Sequence, residues 1–179
     1  MEFIQTHITF VFTTLTLLSH IVFVVMLLLL LAHGQFRTWV YGFVNRNVAS
    51  MLFIASLGAL LGSLSYSEIV GFPPCDLCWI QRIFMYPQAI LAFIGIVKKE
   101  KTIVDYLLPL SILGAIVSLY HSLVHWRLVS GSFLACTSSV TAPCAKVYVL
   151  EYGYITIPFM AFTAFAYLIT VTLIYYKSK

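Results

Sequence analysis

The sequence predicts an all-α integral membrane protein that crosses the bilayer five times. Of its 179 residues, 61% are hydrophobic and only 9% are charged, and the mean hydropathy is +1.00. Soluble domains of this size carry roughly a quarter charged residues, so this composition fits a chain whose solvent is lipid. The net charge of +4 does not indicate nucleic-acid binding, because the basic residues stand in short clusters between apolar runs.

Five apolar runs are long enough to span a membrane. A spanning helix needs about 20 mostly apolar residues, and its backbone groups must find partners within the segment. The first run is predicted to be retained, since it is too long for a signal peptide and no basic residue precedes it. The predicted spans are about Ile8–Ala32, Val48–Ser67, Trp79–Val97, Ile103–Val124 and Ile155–Tyr176.

The basic residues predict which side of the membrane each loop faces. Seven of the ten lie in the loops after spans one and three and in the C-terminal tail: Arg37, Arg46, Lys98, Lys99, Lys101, Lys177 and Lys179. Short cytoplasmic loops are enriched in Lys and Arg, so these segments are predicted to be cytoplasmic and the N-terminus external. The two longest loops are predicted at about His33–Asn47 inside and His125–Tyr154 outside. All four cysteines then face outside, in the oxidising compartment where paired cysteines are common.

The first cysteine pair, Cys75 and Cys78, is separated by two residues where the third span begins. Such a pair closes a small disulfide ring that exchanges readily, and a helix N-terminus stabilises a thiolate. Arg82 lies one turn deeper on the face of Cys78, where a guanidinium favours an anion or an oxygenated ring. The pattern alone also fits a structural disulfide or half of a metal site. A c-type haem would need His after the second cysteine, and Trp79 stands there.

The second pair, Cys136 and Cys144, encloses seven residues of the long outer loop. Taken alone, this pair fits a structural disulfide that closes the loop. Together with the first pair it suggests a two-step relay, because a mobile loop can exchange disulfides with a soluble partner and then with the membrane-anchored pair. His121, near the outer end of the fourth span, is a candidate for a proton or quinone-side role, or for an ordinary hydrogen bond. His20, inside the first span, is predicted to serve helix packing.

Residues 74–87, with the sequence PCDLCWIQRIFMYP, resemble the signature of the DsbB/BdbC disulfide-bond formation proteins. The resemblance continues in residues 118–121 (SLYH), 143–148 (PCAKVY) and 153–159 (GYITIPF). It covers roughly Val48 to Tyr176 and is closer to the short BdbC branch. The first span is an addition to the family pattern.

The resemblance implies a DsbB-like four-helix transmembrane bundle in residues 48–179. One additional N-terminal transmembrane helix and a cytoplasmic loop would occupy residues 1–47. The implied activity is that of a thiol:quinone oxidoreductase in the bacterial cell membrane. It would reoxidise a soluble DsbA/BdbD-like thioredoxin-fold oxidase and pass the electrons to ubiquinone or menaquinone.

The resemblance also assigns roles to individual residues. Cys75 and Cys78 would be the quinone-coupled pair, with Cys78 as the thiolate beside the quinone and Arg82 as its cation. Cys136 and Cys144 would form the partner-facing pair. His121 matches the branch pattern less decisively and is a second cofactor-side candidate. No metal is expected.

Three other functions remain open from the sequence. One is a quinone-linked thiol enzyme of the vitamin K epoxide reductase type, although the usual cysteine layout of that family is absent. Another is a non-enzymatic membrane assembly or transport subunit with structural disulfides, whose cysteines would not react with oxidant or partner thiols. A third is a metal-binding membrane sensor, which the metal content of the purified protein would reveal.

Overall fold

The computed structural model describes residues 2–129 and 144–179. Its five α-helices are all long and apolar enough to cross a membrane, and the described ranges contain no strand. The predicted all-α membrane fold with five spans is therefore confirmed. The helices are α1 (Glu2–Ala32), α2 (Gly34–Leu64), α3 (Asp76–Lys98), α4 (Ile103–His125) and α5 (Ile157–Ser178), and a π-helical segment, Ser65–Ile69, follows α2 directly.

Helices α2 to α5 form a closed four-helix bundle. Each packs on two neighbours: α2 on α3 and α5, and α4 on α3 and α5. The core between them contains Leu52, Ala92, Leu107 and Phe165, which are at most 1% exposed. Outward-facing side chains on every helix are large and apolar, as expected where lipid replaces water.

The prediction of a loop over His33–Asn47 is wrong, because α2 begins at Gly34 and continues unbroken to Leu64. The apolar run begins only after the polar residues near residue 47, but the helix begins before them. At ~1.5 Å per residue, 31 residues extend well beyond a ~30 Å hydrocarbon core. Val40, Val44 and Val48, spaced four residues apart, are buried along one face of this extension. That spacing was the signal that the helix starts earlier.

Hydrogen bonds connect three segments that carry basic residues at one end of the bundle. Lys101, between α3 and α4, donates through Nζ to the backbone oxygen of Asn45 at 2.7 Å. The Asn45 amide in turn donates to the backbone oxygen of Ser178 at 3.4 Å. Asn45 in the first half of α2, the α3–α4 connection and the C-terminal end therefore lie at the same end of the bundle, as the charge pattern predicts.

Helix α1 lies outside the bundle, against α2 and α5. The contacts of α1 with α5 and with the segment before α5 are polar. His20 forms hydrogen bonds with the Tyr154 hydroxyl through Nδ1 (3.2 Å) and with the Thr163 hydroxyl through Nε2 (2.9 Å). Thr14 shares a further hydrogen bond with Tyr152 at 3.3 Å. The packing role predicted for His20 thus takes the form of a specific polar contact with α5 and the segment before it.

We expect His20→Ala to weaken the docking of α1 measurably. Hydrogen bonds between transmembrane helices contribute on average about 0.6 kcal/mol and at most about 1.7 kcal/mol. The free energy of unfolding should therefore decrease by an amount within that range. The variant His7→Ala is the control, because that imidazole is exposed on the same helix. Unfolding in mixed micelles measures both. An equal loss in the two variants would contradict a specific anchor at His20.

Candidate active site

The cysteine pair lies at the N-terminus of α3. Cys75 is the N-cap residue, with an extended backbone (φ −79°, ψ 173°), and Cys78 lies in the first helical turn. Their Sγ atoms are 3.1 Å apart. Cys75 is buried and Cys78 is half-buried. The two thiols therefore need only a small side-chain movement to form a bond, and the unpaired amides of the first turn face an anion there.

The two thiols are not equivalent. Cys75 lies just before the membrane-spanning segment, and the pKa of its thiol is raised to about 12. The first cause is the hydrogen bond that it shares with Cys78, and the second is burial. Cys75 therefore keeps its proton and donates it toward Cys78, so any thiolate of this pair forms on Cys78.

The raised pKa predicts slow alkylation of Cys75 in the reduced protein. The thiolate is the reacting form, and its fraction falls tenfold for each pH unit below the pKa. With a pKa of about 12 instead of 9.0, Cys75 should react about a thousandfold more slowly at pH 8 than an ordinary cysteine. Its rate should keep rising with pH up to about 12.

Peptide mass spectrometry after timed iodoacetamide labelling measures this rate. A sample unfolded in SDS is the control, in which Cys75 should react as fast as the other cysteines. A labelling rate for Cys75 that reaches a plateau below pH 10 would contradict the raised pKa.

His121 is buried, 1% exposed, and connects the two cysteine segments. The Gln81 amide nitrogen donates to Nδ1 at 2.9 Å, so the ring proton lies on Nε2. Nε2 donates to the backbone oxygen of Cys144 at 3.2 Å and lies 3.7 Å from the Cys75 sulfur. The imidazole therefore contacts Cys75 on one side and the Cys144 segment on the other.

Arg82 is fixed one turn below Cys78 by contacts that the sequence did not suggest. Its Nε donates to the Ser63 hydroxyl at 2.9 Å, and its Nη2 donates to the Ser63 backbone oxygen at 3.1 Å. The guanidinium carbon lies 5.1 Å from the centroid of the Trp79 ring, within the range of a cation–π interaction. A buried cation and an aromatic face thus lie directly beneath the half-buried thiol.

The structure brings Cys144 to the same end of the bundle as the first pair. Cys144 is 2% exposed and packs in one apolar cluster with Cys75 and Leu77. Cys136 lies outside the described residues. Of the six predicted site residues, the structure therefore describes five, and all five lie in or beside the first turns of α3.

Two residues of this site were missed by sequence reasoning. The sequence did contain a signal for Gln81. An amide inside a membrane span is energetically costly, and Gln81 lies three residues after Cys78 on the same helical face. Ser63 had none, because only the packing of α2 on α3 places it beside Arg82. Both residues hold another site residue in place by hydrogen bonds.

A family model described as "Disulfide bond formation protein DsbB" matches residues 45–175. The chain belongs to the DsbB family. Among its relatives, "Probable disulfide formation protein C 1" of Bacillus anthracis is 42% identical over 125 residues, covering 70% of this chain and 88% of the relative. "Disulfide bond formation protein C" of Bacillus subtilis (strain 168) is 40% identical over 116 residues, covering 65% and 83%. No solved structure matches the chain significantly.

The DsbB family membership confirms the resemblance carried by the sequence motifs, and the names of the relatives agree with its BdbC branch. The protein is thus a multi-pass membrane protein of disulfide-bond formation. The family match begins at residue 45, so α1 lies outside it. A division into residues 1–47 and 48–179 remains a prediction, and its boundary falls inside α2.

Proposed function

We propose that this DsbB-family protein is a membrane thiol:quinone oxidoreductase. It takes two electrons from a soluble thioredoxin-fold oxidase of the DsbA/BdbD type and passes them to a membrane quinone. The observation that carries the proposal is the asymmetric pair at the start of α3. Cys75 is buried against the Cys144 segment, whereas Cys78 is half-buried above the Arg82–Trp79 contact.

The proposed relay begins at the outer pair. A partner thiolate attacks the Cys136–Cys144 disulfide to form a mixed disulfide, and the second partner thiol then resolves it. This leaves the partner oxidised and the outer pair as a dithiol. The outer dithiol next reduces the Cys75–Cys78 disulfide by the same exchange. Each complete exchange breaks one disulfide and forms another, so two electrons move inward.

The buried cluster brings the two cysteine segments together for the second exchange. Cys144 and Cys75 are both buried and pack in one apolar cluster. The imidazole of His121 contacts the Cys75 sulfur and the Cys144 backbone oxygen. His121 is therefore proposed to hold a proton at Nε2 beside the Cys75 sulfur, which leaves when a mixed disulfide with Cys144 is resolved, and Gln81 to hold the ring in that orientation.

The residues beneath Cys78 fit an oxygenated ring such as that of a quinone. Arg82 supplies a fixed positive charge and Trp79 an aromatic face that is about half exposed toward the lipid. When bound, the quinone, whether ubiquinone or menaquinone, accepts the two electrons of the Cys75–Cys78 dithiol. Arg82 would stabilise the negative charge on that side, and Ser63 would keep the guanidinium from rotating away.

The proposed orientation places the cysteines outside the cytoplasm of a bacterial cell. The end of the bundle opposite the cysteine site gathers Asn45, Lys101 and Ser178, and the basic loops and tail belong to that end. By the positive-inside rule that end faces the cytoplasm, with the N-terminus of α1 outside. Fusions of alkaline phosphatase, or of another topology reporter, after α3 and after α4 test this orientation.

The activity is tested with protein purified in detergent. A reduced thioredoxin-like dithiol protein and a short-chain quinone analogue are added, and quinone absorbance is followed. We expect quinone reduction that requires both the dithiol protein and the chain, and that is lost in a variant with both Cys75 and Cys78 replaced by serine. No reduction, with all cysteines inert to the added dithiol, would contradict the proposal and favour a subunit with structural disulfides.

A further inference from the structure

Three potential metal ligands meet at the start of α3. The sulfurs of Cys75 and Cys78 and a ring nitrogen of His121 all lie within 4.8 Å of one another. The two sulfurs are 3.1 Å apart, and His121 Nε2 is 3.7 Å from the Cys75 sulfur. Cys75 and His121 are buried, so water competes poorly for a cation there.

Two of these separations, between the two sulfurs and between the Cys75 sulfur and His121 Nε2, are close to those of a tetrahedral zinc site. Zinc–sulfur bonds of about 2.3 Å and zinc–nitrogen bonds of about 2.0–2.1 Å place two sulfurs about 3.8 Å apart and a sulfur and a nitrogen about 3.6 Å apart. The Cys75–His121 distance already matches. The sulfurs need to separate by about 0.7 Å, which a small rotation of the half-buried Cys78 provides.

We propose that the reduced protein binds Zn²⁺ through Cys75, Cys78 and His121, and that the disulfide form does not. Two thiolates and an imidazole are a ligand set that zinc prefers, whereas a disulfide supplies no thiolate. Binding displaces the two thiol protons and transfers no electrons. If the chain has the proposed oxidoreductase activity, the metal also blocks it, because both sulfurs that must be oxidised are occupied.

Gln81 supplies the outer contact that a zinc-binding histidine requires. Such a histidine donates its second ring N–H to a carbonyl or carboxylate. In the structure the Gln81 nitrogen donates to Nδ1. Rotation of the amide by half a turn presents its oxygen instead, so that Nδ1–H donates to Gln81 while Nε2 leaves the Cys144 backbone oxygen and binds the metal. Gln81→Glu, which fixes an acceptor at this position, is therefore expected to tighten zinc binding.

The test is zinc binding by the full chain in detergent, without quinone or partner. Anaerobically reduced and oxidised protein compete for Zn²⁺ with a chromophoric chelator. We expect one zinc per reduced chain and none at this site after oxidation. His121→Ala should lower the affinity at least about tenfold. His125→Ala is the matched control, since that ring lies 4.6 Å from the His121 ring and is not one of the three ligands.

Equal affinity in the His121→Ala and parent proteins, or an equal loss in both histidine variants, would overturn the proposal. X-ray absorption of the zinc-loaded parent protein is a second readout that needs no variant. Two sulfur ligands and at least one nitrogen support the site, and four sulfurs overturn it. Because binding is measured without turnover, it can succeed where the quinone assay fails, and the reverse.

Discussion

Replacing Cys78 with serine is expected to lower thiol-dependent quinone reduction at least about a thousandfold, as removal of a catalytic nucleophile does in other enzymes. A serine hydroxyl cannot form the disulfide with Cys75, so the inner pair can neither accept nor deliver two electrons. The nearby Arg82 would remain in place, because its hydrogen bonds are to Ser63. The loss should therefore affect chemistry and not the fold.

Two measurements separate these effects. Quinone absorbance with a reduced thioredoxin-like protein gives the turnover rate, and thermal unfolding in the same detergent shows whether the bundle is intact. Replacing Ser65 with alanine is the control and should keep the parent rate, because Ser65 lies on the π-helical segment before the site and its hydroxyl donates to the Leu61 backbone oxygen. A Cys78→Ser protein that retains a tenth or more of the parent rate would contradict a role for this thiol.

The largest stability effect is expected from Gly114→Ala. A Cβ added at Gly114, in α4, would overlap the ring of Phe165 in α5, and that ring is fully buried. Small residues let transmembrane helices approach closely, and overpacking such a contact costs about 1–3 kcal/mol. The free energy of unfolding should fall by that amount.

Gly58→Ala is the matched control, because a Cβ at that position in α2 meets nothing within 4 Å. Unfolding in mixed micelles compares the two variants. Phe165→Leu should recover part of the loss when combined with Gly114→Ala, since the shorter side chain relieves the overlap. Equal stability of the two alanine variants would show that α4 and α5 are not in close contact at Gly114.

Hydropathy predicted the five spans but not where the second helix begins. Lipid requires an apolar exterior, so the span positions follow from composition alone. The extension of α2 over residues 34–47 follows from packing of Val40 and Val44 on the bundle, which hydropathy does not measure. The partners of His20 were equally hidden, because Tyr154 and Thr163 are more than 130 residues away in sequence.

The candidate site was predictable where its chemistry is local. Cys75, Cys78 and Arg82 lie within eight consecutive residues at the start of one helix, so their spacing already places them together. The contact of His121 with Cys75 depends on how α4 packs on α3, and no pattern within either helix reveals it. The motif resemblance located His121 but did not indicate that it bridges the two cysteine segments.

The most direct test of the account is an electron count under anaerobic conditions. Purified protein, a reduced thioredoxin-like dithiol protein and a quinone analogue are mixed. Quinone loss is measured by absorbance, and disulfides formed in the dithiol protein are measured by mass spectrometry. We expect one quinone reduced for every disulfide formed, and both quantities abolished when Cys75 and Cys78 are replaced. Disulfides that form without quinone loss, or quinone loss that persists without the inner pair, would contradict it.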